Sequence, residues 1–134
     1  MELTLSGYLA TSSLDGFIRI WSLFDFKLLT ELQDLDSRKG VDSKPINGVR
    51  TLCYTPDFGG NLISTGYQQY LNIWSPDCSL SKSFISKLEG HTGIVVSAKV
   101  FPDSPNCVSI DDRFNIKIWD LRNFMCIQTV RTEM

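Results

Sequence analysis

The sequence predicts an all-β protein made of about three four-stranded antiparallel units, and three observations carry that prediction. Tryptophan occurs three times, at Trp21, Trp74 and Trp119, each directly after an isoleucine. Aligned on those residues without gaps, the chain agrees elsewhere. Ile18, Leu71 and Ile116 lie three positions before Trp, and Thr11, Ser64 and Ser109 lie ten before. Leu9, Leu62 and Cys107 lie twelve before. Finally, apolar and polar residues alternate around each Trp, as in Asn115-Ile116-Lys117-Ile118-Trp119-Asp120. That is the period of a half-buried strand, and no stretch shows helical periodicity.

The first unit, residues 1–33, opens with an apolar run over 8–13. It turns at Asp15-Gly16, a strong local hairpin signal, and returns over 17–21. A further alternating run covers 26–32. Polar residues 34–47, with Ser37-Arg38-Lys39-Gly40, then form an inserted loop, so the first repeat step is 53 residues and the second 45. The second unit, 48–88, starts with a strand over 49–54 that stops at Thr55-Pro56-Asp57, where Pro and Asp favour a turn. Its hairpin turn is Gly66-Tyr67-Gln68-Gln69, and its last run covers 80–88. The third unit, 90–131, has runs over 94–101 and 124–130, with Phe101-Pro102-Asp103 ending the first of these. Its hairpin turns at Asp111-Asp112-Arg113.

Gly90-His91, followed after 27 residues by Trp119-Asp120, makes the third unit resemble a blade of the WD-repeat β-propellers. Repeats of that family run about 40–45 residues with four strands each. The resemblance implies a hydrogen-bond network inside each blade. A buried Trp indole has one N–H that needs an acceptor. A strand Ser or Thr supplies it, and His links that hydroxyl to an acid in the hairpin turn. By position, the third unit offers His91, Ser109, Trp119 and, in the turn, Asp112, because Arg113 stands six before Trp. The first offers Thr11, Asp15 and Trp21, and the second Ser64 and Trp74 with Gln68 in the acid's place. Propellers close with four to eight blades. About three blades therefore imply an incomplete ring, a fragment whose remainder lies in the same chain or comes from another chain.

Four widely spaced cysteines and no signal-like start are expected for reduced thiols in a cytoplasmic protein. Cys107 and Cys126, inside apolar runs, are expected as small core residues, and Cys78 on a turn. A net charge of −2 gives no footprint for nucleic acid, and the apolar runs are too short for membrane insertion by a helix. No cofactor motif appears. A calcium loop from Asp34 would need Gly at its sixth position and Glu at its twelfth, where Lys39 and Pro45 stand. Zinc lacks further ligands at suitable spacing. His91, Ser109 and Asp112 suggest a nucleophilic triad only superficially, since no nucleophile elbow is present. An enzyme is not expected.

Arg38, Lys39, Asp111 and Arg113, in loops and turns, are candidate partner contacts. The family resemblance implies a non-catalytic protein–protein interaction scaffold in a larger multiprotein assembly. More narrowly, Ser97-Ala98-Lys99-Val100-Phe101, Val108-Ser109-Ile110-Asp111-Asp112 and Ile118-Trp119-Asp120-Leu121-Arg122-Asn123-Phe124 look like blades of large axonemal WD-repeat proteins, which implies a cilium. The alternative is a recognition module for a modified peptide or a phosphoinositide head group. That module needs converging arginines, and along the chain Arg19, Arg50, Arg113 and Arg122 are dispersed.

Overall fold

The computed structural model describes residues 2–3, 7–33, 48–55, 60–75 and 84–132. They form twelve strands and no helix: β1 Glu2–Leu3, β2 Tyr8–Ser12, β3 Phe17–Ser22, β4 Leu28–Gln33, β5 Val49–Thr55, β6 Asn61–Gly66, β7 Tyr70–Trp74, β8 Phe84–Glu89, β9 Val95–Val100, β10 Asn106–Asp111, β11 Asn115–Asp120 and β12 Met125–Arg131. Each successive group of four makes one antiparallel sheet in chain order. The inserted loop, with Arg38 and Lys39, and Cys78 lie outside the described residues.

The repeat extends to details of the backbone. The β-ladder shifts register at Ile20/Trp21, Ile73/Trp74 and Ile118/Trp119, the same place in all three sheets. Such a bulge bends the strand and increases its local twist. In the first and third sheets the turn after Trp is the same structure. Leu23 and Leu121 amides donate to the carbonyls of Gly7 and Pro105, and Phe26 and Phe124 amides to those of Ser22 and Asp120. Ser22 Oγ and Asp120 Oδ1 accept from the backbone of Phe24 and Arg122. The residue after Trp is therefore a turn cap, which accounts for its polar character. Phe26 and Phe124 both have left-handed φ, 56° and 58°, an uncommon state for an aromatic residue that recurs because the turn demands it.

The sheets stack face to face in sequence. Strand β5 touches β1 and β2, and β9 touches β5 and β6, so the first strand of each unit lies innermost. Because side chains alternate across a strand, each sheet has a Trp-bearing face and an opposite one. Trp74 and Leu62 of the second sheet join Ala10, Ile18, Ile20 and Leu32 of the first in one core. Trp119, Cys107 and Ala98 of the third join Ile63, Ile73 and Leu88 of the second in the other. The Trp faces of the second and third sheets thus pack against the sheet that precedes each of them. Strand β12, farthest from the innermost strand, is exposed along its whole length. Cys107 is buried as expected, but Cys126 is exposed: apolar alternation placed it in the core, whereas an outermost strand has no sheet beyond it to cover either face fully.

Candidate functional site: a buried polar relay and an adjoining basic cavity

At the centre of the third sheet four polar side chains form a closed relay. Trp119 Nε1–H donates to Ser109 Oγ at 2.8 Å, and Ser109 Oγ lies 2.6 Å from His91 Nε2. His91 Nδ1 lies 2.9 Å from Asp111 Oδ2. A carboxylate accepts, so Nδ1 carries the proton, Nε2 is the acceptor, and the Ser109 hydroxyl donates to it. Side chains of His91 and Asp111 have 0% exposure.

The acid of this relay is Asp111, not Asp112. Asp111 lies eight residues before Trp119, where the first unit has Ser13 and the second Gly66. Ser13 and Asp111 both accept, through their carbonyls, the amide three residues on, from Gly16 and Phe114. An ungapped count to the middle of the turn therefore points past the acid. Asp111 ends β10 two residues after Ser109 and so shares its inward face, where it is buried and not a partner contact. Asp112 is exposed, and its Oδ1 accepts from the Ile94 amide at 2.9 Å. It ties the turn to the start of β9.

Burial alone would raise the Asp111 carboxyl. The Asn115 amide and side chain, His91 and the Arg113 amide outweigh it by hydrogen bonding, and the net value lies well below the usual carboxylate range. Burial pushes the His91 imidazole below its ordinary value, with Asp111 pulling the other way. The sign of the pH dependence follows. Just below about pH 6.5 the unfolded chain takes up a proton that the folded imidazole refuses. His91's contribution is therefore complete above that pH and declines beneath it. Below about pH 4, protonation of Asp111 in the unfolded chain adds a loss of the same sign. The urea midpoint is expected to fall between about pH 7.5 and about pH 5.5, with a shallower fall in His91→Gln. A midpoint that rises on acidification contradicts this assignment.

The other sheets carry shorter versions. Trp74 Nε1 donates to Ser64 Oγ at 2.8 Å, and Trp21 Nε1 to Thr11 Oγ1 at 2.9 Å. Asp15 does not join Thr11 and Trp21. It is exposed in the turn, accepting from the Phe17 amide and from Arg19, which also bonds Glu31.

Beside the relay lies a cavity of about 310 Å³ lined by Gly90, Thr92, Arg113, Asn115, Lys117, Thr129 and Arg131. Of the four dispersed arginines only Arg113 lines this cavity, where it is joined by Arg131 and Lys117. The signal was present in the sequence: Arg113, Lys117 and Arg131 belong to consecutive strands and their turn. Their proximity, however, depends on the pairing of Asn115 with Arg131 and of Lys117 with Thr129. Among the described residues no three His, Cys, Asp or Glu side chains group to hold a metal ion.

The family model for the WD domain, G-beta repeat, matches residues 5–22 and 82–120, which cover the first hairpin and most of the third unit. Cilia- and flagella-associated protein 337 B of Tetrahymena thermophila is 22% identical over 126 residues, 94% of this chain and 9% of that protein. Human WD repeat and SOCS box-containing protein 1 is 28% identical over 116 residues, 87% of this chain and 25% of its own length. Human pre-mRNA-processing factor 19 is 25% identical over 103 residues, 77% of this chain and 20% of its own. The chain therefore spans from about a tenth to a quarter of the length of these curated relatives.

Proposed function

We propose that the chain, which matches the WD-repeat family model over residues 5–22 and 82–120, is a non-catalytic protein–protein interaction scaffold within a larger multiprotein assembly. The observation that carries this reading is the closure of the relay. The sole histidine, with its serine and acid, is turned into the sheet core at 0% side-chain exposure for His91 and Asp111, where no substrate can reach it. Its chemistry is spent on holding a blade rigid. Blades held in this way present long outer strands and loop-bearing rims, surfaces suited to other proteins.

The assembly we propose is the ciliary axoneme, with synthesis and residence in the cytoplasm. Support comes from the alignment with a cilia- and flagella-associated protein over nearly the whole chain. The rest of the ring is supplied either by the same chain or by another. A proximity-labelling enzyme fused to the full chain in a ciliated cell is expected to mark axonemal proteins. Labelling spread evenly through the cytoplasm, with no axonemal enrichment, would remove the ciliary assignment. A stable set of co-purifying proteins elsewhere would keep the scaffold.

A further inference from the structure

The first and third sheets differ in charge at one corner, the outer end of the Trp-bearing face. In the first sheet this corner neutralises itself. Arg19, two residues before Trp21, bonds Asp15 at 2.7 Å and Glu31 at 3.2 Å. The equivalent positions in the third sheet are Lys117 for Arg19, Arg113 for Asp15 and Thr129 for Glu31, with Arg131 where the first has Gln33. Two acids have become a cation and a hydroxyl, and a third cation has been added. No carboxylate lines the resulting cavity. Among the described residues Arg113, Lys117 and Arg131 form no ion pair.

The cavity also has a floor and neutral donors. Gly90 has φ of 144°, and a carbon placed on it would come 3.6 Å from Lys117 Nζ, so the lysine lies over the glycine backbone. Lys117 Nζ donates to Thr129 Oγ1 at 2.9 Å, and Asn115 Nδ2 to Thr92 Oγ1 at 3.2 Å. Those bonds fix the walls and leave both guanidinium groups exposed. Asn115, Lys117, Thr129 and Arg131 share the face of Trp119, which packs towards the second sheet. The cavity therefore opens on the Trp119 face of the third sheet and not on the opposite one.

We propose that this cavity binds the phosphate group of a phosphorylated serine or threonine on a partner protein. Such a group carries close to two negative charges and three acceptor oxygens, and guanidinium groups meet it with paired N–H donors. Three cations with no lining carboxylate suit one dianion. A peptide fits better than a membrane because β12, which supplies Thr129 and Arg131, is the exposed edge of its sheet. Its outward backbone groups can pair with an extended chain while the phosphate enters the cavity. A bilayer needs a broad positive surface, and this chain has a net charge of −2. The proposal rests on the protein-binding reading and names the mark that the scaffold recognises.

The test is a fluorescence-anisotropy titration of the full chain with random-sequence peptides carrying a central phosphoserine, and with the same peptides unphosphorylated. Saturable binding is expected, weakened about tenfold or more without the phosphate and likewise in the double variant Arg113→Ala/Arg131→Ala. O-phosphoserine should compete. Arg122→Ala, which removes an arginine paired with Asp120 away from the cavity, should bind as the parent does. Both exchanged arginines are exposed, so an unchanged urea midpoint will show that the double variant is folded. Equal affinity for the two peptide sets, or affinity unaffected by the double variant, overturns the proposal. So does tighter binding to phosphatidylcholine vesicles containing a phosphoinositide than to the peptides. Partner capture from cells that survives phosphatase and the double variant also overturns it, yet leaves the scaffold standing. Failure to capture any partner counts against the scaffold, while the titration still judges the cavity.

Discussion

Asp111→Ala is expected to destabilise the chain by about 3 kcal/mol or more, while Asp112→Ala costs about 1 kcal/mol or less. The two acids are neighbours in the chain and equal in chemistry, so the contrast isolates their surroundings. Asp111 accepts from His91, from the amides of Arg113 and Asn115, and from the Asn115 side chain. Removing it strands a buried imidazole N–H and opens the hairpin turn. Asp112 is exposed, and water replaces its one bond to the Ile94 amide. Urea midpoints at constant slope measure both values. Equal costs, or a larger cost at Asp112, would return the relay's acid to the middle of the turn.

The second large effect is expected at the tryptophans. Trp119 is 2% exposed inside the core shared by the second and third sheets, and Trp119→Ala should cost about 3–5 kcal/mol. Trp21 makes the same indole bond to a strand hydroxyl but is only partly buried, because the face that bears it has no described sheet against it. Trp21→Ala should cost clearly less. Trp119→Phe keeps most of the ring volume and removes the N–H, which reports the hydrogen bond at about 1 kcal/mol. If the two alanine variants lose the same stability, inter-sheet burial is not what anchors Trp119.

Much of this was legible in the chain. Strand, turn and repeat follow from rules acting over a few residues: alternation at period two, Asp-Gly and Pro-Asp turns, and a Trp ten residues after a hydroxyl across one hairpin. The bonds from Trp21, Trp74 and Trp119 to Thr11, Ser64 and Ser109 span that hairpin, so the ungapped alignment found all three pairs. The alignment failed where the acid is not in the turn. Asp111 ends β10 on the face of Ser109, eight residues before Trp119, and counting to the middle of the turn then chooses the wrong one of two adjacent acids. It failed again at Cys126, whose apolar neighbours say nothing about which strand lies outermost.

By itself, the sequence determined an all-β chain of three related four-stranded units, because strand period and hairpin chemistry are encoded locally. Tertiary structure alone decided three things: the acid that completes the relay, the face on which each Trp is covered, and the meeting of Arg113, Lys117 and Arg131. Each depends on the register between strands and the stacking of sheets. Those are set by contacts between residues far apart in the chain, which no local pattern specifies.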